Sequence, residues 1–270
     1  MSIIILSLKM SIIQILYFLG IFIGIGIILG FLEKKINKNM QRAFGWNGVL
    51  MTAVIGTPVH EIGHMLMCLI FNHRVNKVCL LNTSGKNGYL GYVQHSFNRS
   101  SIYQRIGNFF IAMGPLFSGL IVLLTSMYFF IPKSFKLFVN YLKNINPETI
   151  SLEKFLSNSF SIYKYIFNME NIKSVNFWIF LFIAISLSAH IALSLVDMKN
   201  QIEGLKFIFA VIFMVNIVIY SLNLKIVAYL RFVIYYNQII FALFSITLIF
   251  SVLTYLISKI LALVKSRNVY

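Results

Sequence analysis

Apolar residues run almost unbroken for about twenty positions at a time along this chain, and polar residues collect between the runs. Six runs stand out, at 10–32, 48–71, 106–131, 176–198, 205–222 and 238–263. A helix needs about 20 residues to cross a hydrocarbon core about 30 Å thick. The pattern therefore predicts an all-α polytopic membrane protein, with residues 1–270 forming one membrane domain of six helices. Only between the second and third runs does the period change. There Val78, Leu80 and Leu81 precede Thr83-Ser84-Gly85-Lys86-Asn87-Gly88, and Tyr89, Leu90, Tyr92 and Val93 follow. That order predicts a small β-hairpin closed by an Asn-Gly turn. The longest connection, 132–175, mixes six lysines with Glu148, Glu153 and Glu170 and reads as a partly helical cap on the membrane surface. Residues 223–237, with two cations among aromatics, read as a second interfacial segment.

Composition sharpens this picture. Hydrophobic residues make up 59% of the chain and charged residues 11%, against roughly 25% charged residues in an average soluble domain. The formal charge of +16 is scattered over short connections instead of gathered on one face, so it points to anionic lipid headgroups and away from nucleic acid. Lys and Arg divide almost evenly between the two sides that six crossings define, and charge bias therefore does not orient the chain. Cys68 and Cys79 are too few for a disulfide framework. The first run is too long for a signal-peptide core and lacks a small-residue cleavage site, so it is expected to stay as a helix.

Acidic residues carry the most information, because an ionised carboxylate in hydrocarbon costs at least about 2.5–3.5 kcal/mol unless something compensates it. Glu33, Glu148, Glu153, Glu170 and Glu203 fall in connections or at their margins, which leaves Glu61 and Asp197 inside predicted spans. Glu61 belongs to His60-Glu61-Ile62-Gly63-His64. Four residues are slightly more than one helical turn, so His60 and His64 share a face and can bind one zinc ion, while Glu61 stands beside them as a base for water that the metal activates. The plainer alternative is a polar helix face satisfied by its neighbours. It must explain three ionisable groups within five residues at lipid depth.

A third ligand is expected from the fourth run, which carries His190 and Asp197. Seven residues of unbroken helix separate them by about 10 Å, so one is ligand and the other supports it. Depth favours His190, and charge favours Asp197. Packing or capping would account for either one taken alone. Cys68, one turn past His64, and His95, after the second predicted strand, are weaker candidates, and His73 is explained by its place at a helix end. Gly107, Gly114 and Gly119 allow close helix approach, while Pro115 frees the carbonyl of Ile111 and kinks its span.

These residues together resemble the site-2 protease family of intramembrane zinc metalloproteases, and most of all its compact bacterial members without a PDZ domain. The resemblance rests on His60-Glu61-Ile62-Gly63-His64, Gly114-Pro115-Leu116 and Asp197, and it covers about 48–200. It implies zinc held by His60, His64 and Asp197, Glu61 as the catalytic base, a sheet edge that receives an unwound substrate strand, and both termini in the cytoplasm of a bacterial cell. The flanks of Asp197 depart from the family's pattern, which has Asn, prolines and Asp-Gly there. His190 stands roughly where the Asn would be and is a candidate donor to a developing oxyanion. The expected activity is zinc-dependent hydrolysis of a peptide bond in or near a transmembrane segment of another membrane protein. The competing expectation is a metal-binding or transport protein that uses the same histidines and acids.

Overall fold

Glycine interrupts the longest helix of this protein, and that interruption places its first segment against the histidine motif. The computed structural model describes residues 3–85, 88–144, 163–192, 195–222 and 227–267; along parts of the last two helices, Asp197 and Glu203 included, only the backbone is described. Helix α1 (Ile3–Ile70) is followed by strands β1 (Arg74–Cys79) and β2 (Tyr92–Ser96) and then by α2 (Ile102–Phe130). Next come α3 (Pro132–Lys143), the short α4 (Met169–Ile172), α5 (Val175–Ser188), α6 (Leu195–Ser221) and α7 (Val227–Arg267).

Within α1, Gly45 adopts φ 64° and ψ −152°, outside the helical region. Only glycine takes that conformation without steric cost. Along a straight helix Glu33 and His60 would lie about 40 Å apart, yet both line one cavity. The chain therefore turns back on itself at Gly45, and α1 consists of two limbs, 3–44 and 46–70. The segment 33–47, expected as a connection, is helical on both sides of that turn. Its charged residues sit on a helical face, and the period of apolar residues alone does not reveal this.

Four helices among the described residues are long and apolar enough to cross a membrane: α1, α2, Gly204–Ser221 of α6 and Ile239–Lys265 of α7. Large apolar side chains cover the outside of this helical membrane protein, and several polar ones lie inside it. Ile4, Leu16, Ile121 and Phe129 are more than 60% exposed, while Gln14, Asn108, Asn216, Thr247, Ser251 and Thr254 are buried. In lipid, apolar burial offers little net gain, so helices associate through close packing and polar bonds. Helix α2 lines the main core with one of its faces. Phe109, Met113, Leu116, Leu120, Leu123 and Met127 follow the four-three spacing of one helical face, and all belong to the main core cluster. At Gln14, an amide pair joins the first limb of α1 to α6. Asn216 Nδ2 donates to Gln14 Oε1 at 2.7 Å and to Ser11 Oγ at 2.9 Å.

Two expected boundaries move. The run at 176–198 is not one helix: α5 ends at Ser188 and α6 begins at Leu195. Helix α6 then continues through 199–204, which the charge pattern marks as a connection. The strands also lie further from the turn than expected. Arg74 pairs with Ser96, Val78 with Val93 and Cys79 with Tyr92, with a bulge between Val75 and Lys77. Beyond the paired strands Asn82 N–H donates to Leu90 O at 2.6 Å and Gly88 N–H to Gly85 O at 3.4 Å, while residues 86 and 87 of the expected Asn-Gly turn lie outside the described residues. Polar Arg74, Asn76 and Lys77 hide β1 from an apolar pattern, and backbone pairing decides it. Trp46, next to the Gly45 turn, holds the connection between the strands by donating its indole N–H to Thr83 O at 2.9 Å.

In the long 132–175 connection, α3 and α4 are helical and Lys133 pairs with Glu170. The amphipathic stretch expected at 151–167 lies mostly outside the described residues. Of the interfacial segment expected at 223–237, the described part, 227–237, belongs to α7.

At the junction of α1, the sheet and α2, His73 is buried. Its Nε2–H donates to Gln104 O at 2.8 Å, which leaves Nδ1 to accept from His95 Nδ1–H at 3.0 Å, and the ring stacks on Phe97. Burial lowers the His73 pKa below the ordinary 6.5, against the opposing effect of the Gln104 carbonyl.

Two outcomes are expected. Gly45→Ala forces a non-glycine residue into a costly conformation and should destabilise the fold by about 1–3 kcal/mol, seen as a lower thermal midpoint in detergent. Because the fold favours neutral His73, its contribution to stability is present above pH 6.5 and is lost as pH falls through the lowered folded value. Hydrogen exchange of 73–79 and 92–96, corrected for intrinsic rates, should therefore speed up on mild acidification, and much less so in His73→Asn.

Candidate metal and catalytic centre

Motif residues His60, Glu61 and His64 lie on the second limb of α1 where it crosses α2 and the end of α5. The crossing with α2 is a backbone contact. A Cβ at Gly63 would come within 2.6 Å of the Gly114 carbonyl carbon, and one at Gly114 within 2.4 Å of Gly63 O. Ser118 Oγ donates to Val59 O at 2.8 Å across the same contact. On the other side a Cβ at Gly56 would meet Ser186 O at 2.2 Å. Small residues on both faces bring three helices to the motif.

These contacts fix the histidine rings. His64 Nδ1–H donates to Ile111 O of α2 at 2.7 Å, and His60 Nδ1–H donates to His190 O at 2.6 Å. A carbonyl only accepts, so in each neutral ring the proton is on Nδ1 and the lone pair on Nε2. The two Nε2 atoms face each other 3.1 Å apart. Two nitrogens that bind one tetrahedral zinc at 2.0–2.1 Å are about 3.3 Å apart. The donor set thus has the spacing and tautomers that a shared cation requires. An imidazole that gives its other N–H to a backbone carbonyl is also how metal-bound histidines are usually held.

Glu61 is buried, and it borders a cavity of ≈ 350 Å³ together with His60. A Cβ on Gly91, in the connection before β2, would lie 2.9 Å from Glu61 Oε1, so the chain backbone passes directly over the carboxylate. The opposite wall comes from the first limb of α1, through Glu33, Lys34 and Asn37. Sequence reasoning assigned Glu33 to a connection and missed this wall. Its signal was present, because Gly30, Glu33, Lys34 and Asn37 have the spacing of one helical stripe.

His190 is 2% exposed and reaches the centre through its backbone. Thr52 Oγ1 gives its own proton to Val49 O at 3.0 Å, so His190 Nε2–H donates to Thr52 Oγ1 at 3.1 Å. His190 Nδ1 is 3.6 Å from Glu33 Oε1. The side chain thus faces Thr52 and Glu33, while the main-chain carbonyl holds His60. Asp197 is the third residue of α6, and its side chain lies outside the described residues. Since α5 and α6 are separate helices, the 10 Å spacing expected for one continuous helix does not apply to His190 and Asp197. Among the described residues no three His, Cys, Asp or Glu side chains converge as a metal group. Cys68 is buried further along α1, and His95 meets His73 beyond the end of that helix.

Compared with known protein families, curated proteins and solved structures, the chain matches none.

Gly91→Ala should push the connection or Glu61 out of place. Such overpacking should destabilise the fold by about 1–3 kcal/mol, read as a lower thermal midpoint in detergent.

Proposed function

We propose that this protein is an intramembrane zinc metalloendopeptidase related to the site-2 protease family, cutting a peptide bond in or near a transmembrane segment of another membrane protein. The observation that carries the reading is the pair of imidazoles one helical turn apart, each with Nδ1–H bound to a carbonyl and Nε2 atoms 3.1 Å apart, beside a buried carboxylate on a cavity. His60 and His64 would hold the metal, with Asp197 as the third ligand by resemblance. When bound, zinc acts as a Lewis acid that makes water nucleophilic near neutral pH.

The chain's own groups perform the remaining steps. Glu61 accepts a proton from the attacking water as its oxygen bonds to the substrate carbonyl carbon. It then returns the proton to the amide nitrogen as the C–N bond breaks. The cavity that Gly30 and Gly91 border gives an extended substrate backbone access to these groups. A helical peptide bond is shielded by its own hydrogen bonds, so the substrate segment must unwind before it enters. This reading takes the chain six times across a bacterial cytoplasmic membrane, with the two limbs of α1 as separate crossings.

Glu61→Gln keeps the shape of the side chain and removes the base. It should lower cleavage of a transmembrane test substrate by at least about 10²-fold while zinc content, measured by mass spectrometry of the detergent-purified protein, stays near one per chain. Unchanged turnover, or wild-type protein without zinc, sinks the protease reading. Retained zinc without cleavage of any membrane-spanning peptide favours a metal-binding or transport role instead.

A further inference from the structure

Carbonyl groups inside a helix are normally consumed by the N–H four residues on, so an acceptor for a buried imidazole has to be made available. The carbonyl of Ile111 would bond the N–H of residue 115. That residue is proline, which has no N–H. The released oxygen is the one that His64 Nδ1–H meets at 2.7 Å. The contact of Gly63 with Gly114 sets the two helices close enough for this bond. His60 obtains its acceptor differently, from His190 O just past the end of α5. Each ring is therefore held by a carbonyl that lies outside regular helical bonding, one released by a helix end and one by a proline.

We infer that Pro115 is a positioning residue for the metal centre: by withholding a backbone N–H from Ile111 O, it supplies the acceptor that keeps the proton of His64 on Nδ1 and turns Nε2 toward His60. Its kink is secondary to this role. An alanine at 115 restores the N–H, which competes with His64 for the same oxygen. The ring then loses its fixed tautomer and orientation.

The inference rests on His60 and His64 as the metal-binding pair, but its first readout needs no metal. Nitrogen-15 shifts of labelled histidine in the metal-free protein distinguish the Nδ1–H from the Nε2–H tautomer of His64. Wild type should show the Nδ1–H form and Pro115→Ala a mixture, with zinc affinity in a competition assay falling about 10–100-fold, the usual cost of removing a partner that orients a ligand. Lactic acid at position 115 has the alanine methyl and an ester oxygen in place of the N–H, so it should keep the tautomer and the affinity of wild type. Should Pro115→Ala fail to fold, lactic acid at position 112 turns Ile111 O into a weaker ester acceptor with Pro115 intact, and it should weaken zinc binding in the same direction. A folded Pro115→Ala protein with unchanged tautomer and affinity overturns the inference. Equal losses in Pro115→Ala and the position-115 ester do the same, since both then reflect only the missing ring. Wild-type protein that binds no zinc would end the protease reading, while the tautomer of His64 still decides the role of Pro115.

Discussion

An imidazole packed between helices has two polar nitrogens to satisfy, and in this protein each motif histidine settles one of them on a backbone carbonyl. That pair of bonds, His64 to Ile111 O and His60 to His190 O, determines most of what the centre can do. It fixes the tautomers, directs both Nε2 atoms to one point and ties the motif limb of α1 to two other helices. Unsatisfied polar groups away from water cost several kcal/mol, so such a constellation persists only where the surrounding helices offer acceptors at the right height. Pro115 and the end of α5 provide them.

Close approach is the second requirement. Gly56, Gly63 and Gly114 replace side chains with backbone contact on both faces of the motif limb, which makes hydrogen bonds between a side chain and a neighbouring helix's main chain geometrically possible. Larger residues at these positions would separate the helices by more than the reach of an imidazole. The same packing leaves Glu61 buried but next to open space, between the Gly91 backbone and the wall formed by the first limb of α1. A carboxylate in that position is shielded from bulk water yet reachable from the cavity.

The turn at Gly45 links fold and site. It returns the first limb of α1 to the motif, and through Trp46 it anchors the connection that passes over Glu61. Glu33 then comes within 3.6 Å of His190 Nδ1, a relation between residues 157 positions apart that local sequence could not suggest. The polar residues of the spans follow the same logic. Gln14 and Asn216 meet each other inside the bundle because neither has a partner in lipid.

From the sequence alone, the helical membrane class, the presence of a small β-element between the motif helix and the next, and the shared helical face of His60 and His64 with Glu61 beside them could all be read. Length of apolar runs and the helical period act locally, so neighbouring residues suffice to reveal them. Tertiary structure decided the remainder. Whether 33–47 is a connection or a helix wall, where α5 stops relative to His190, and which carbonyls receive the imidazole protons depend on contacts between segments far apart in the chain. Pro115 shows the division most clearly: its missing N–H is legible in one letter, but that the freed oxygen would face His64 follows only from Gly63 resting on Gly114.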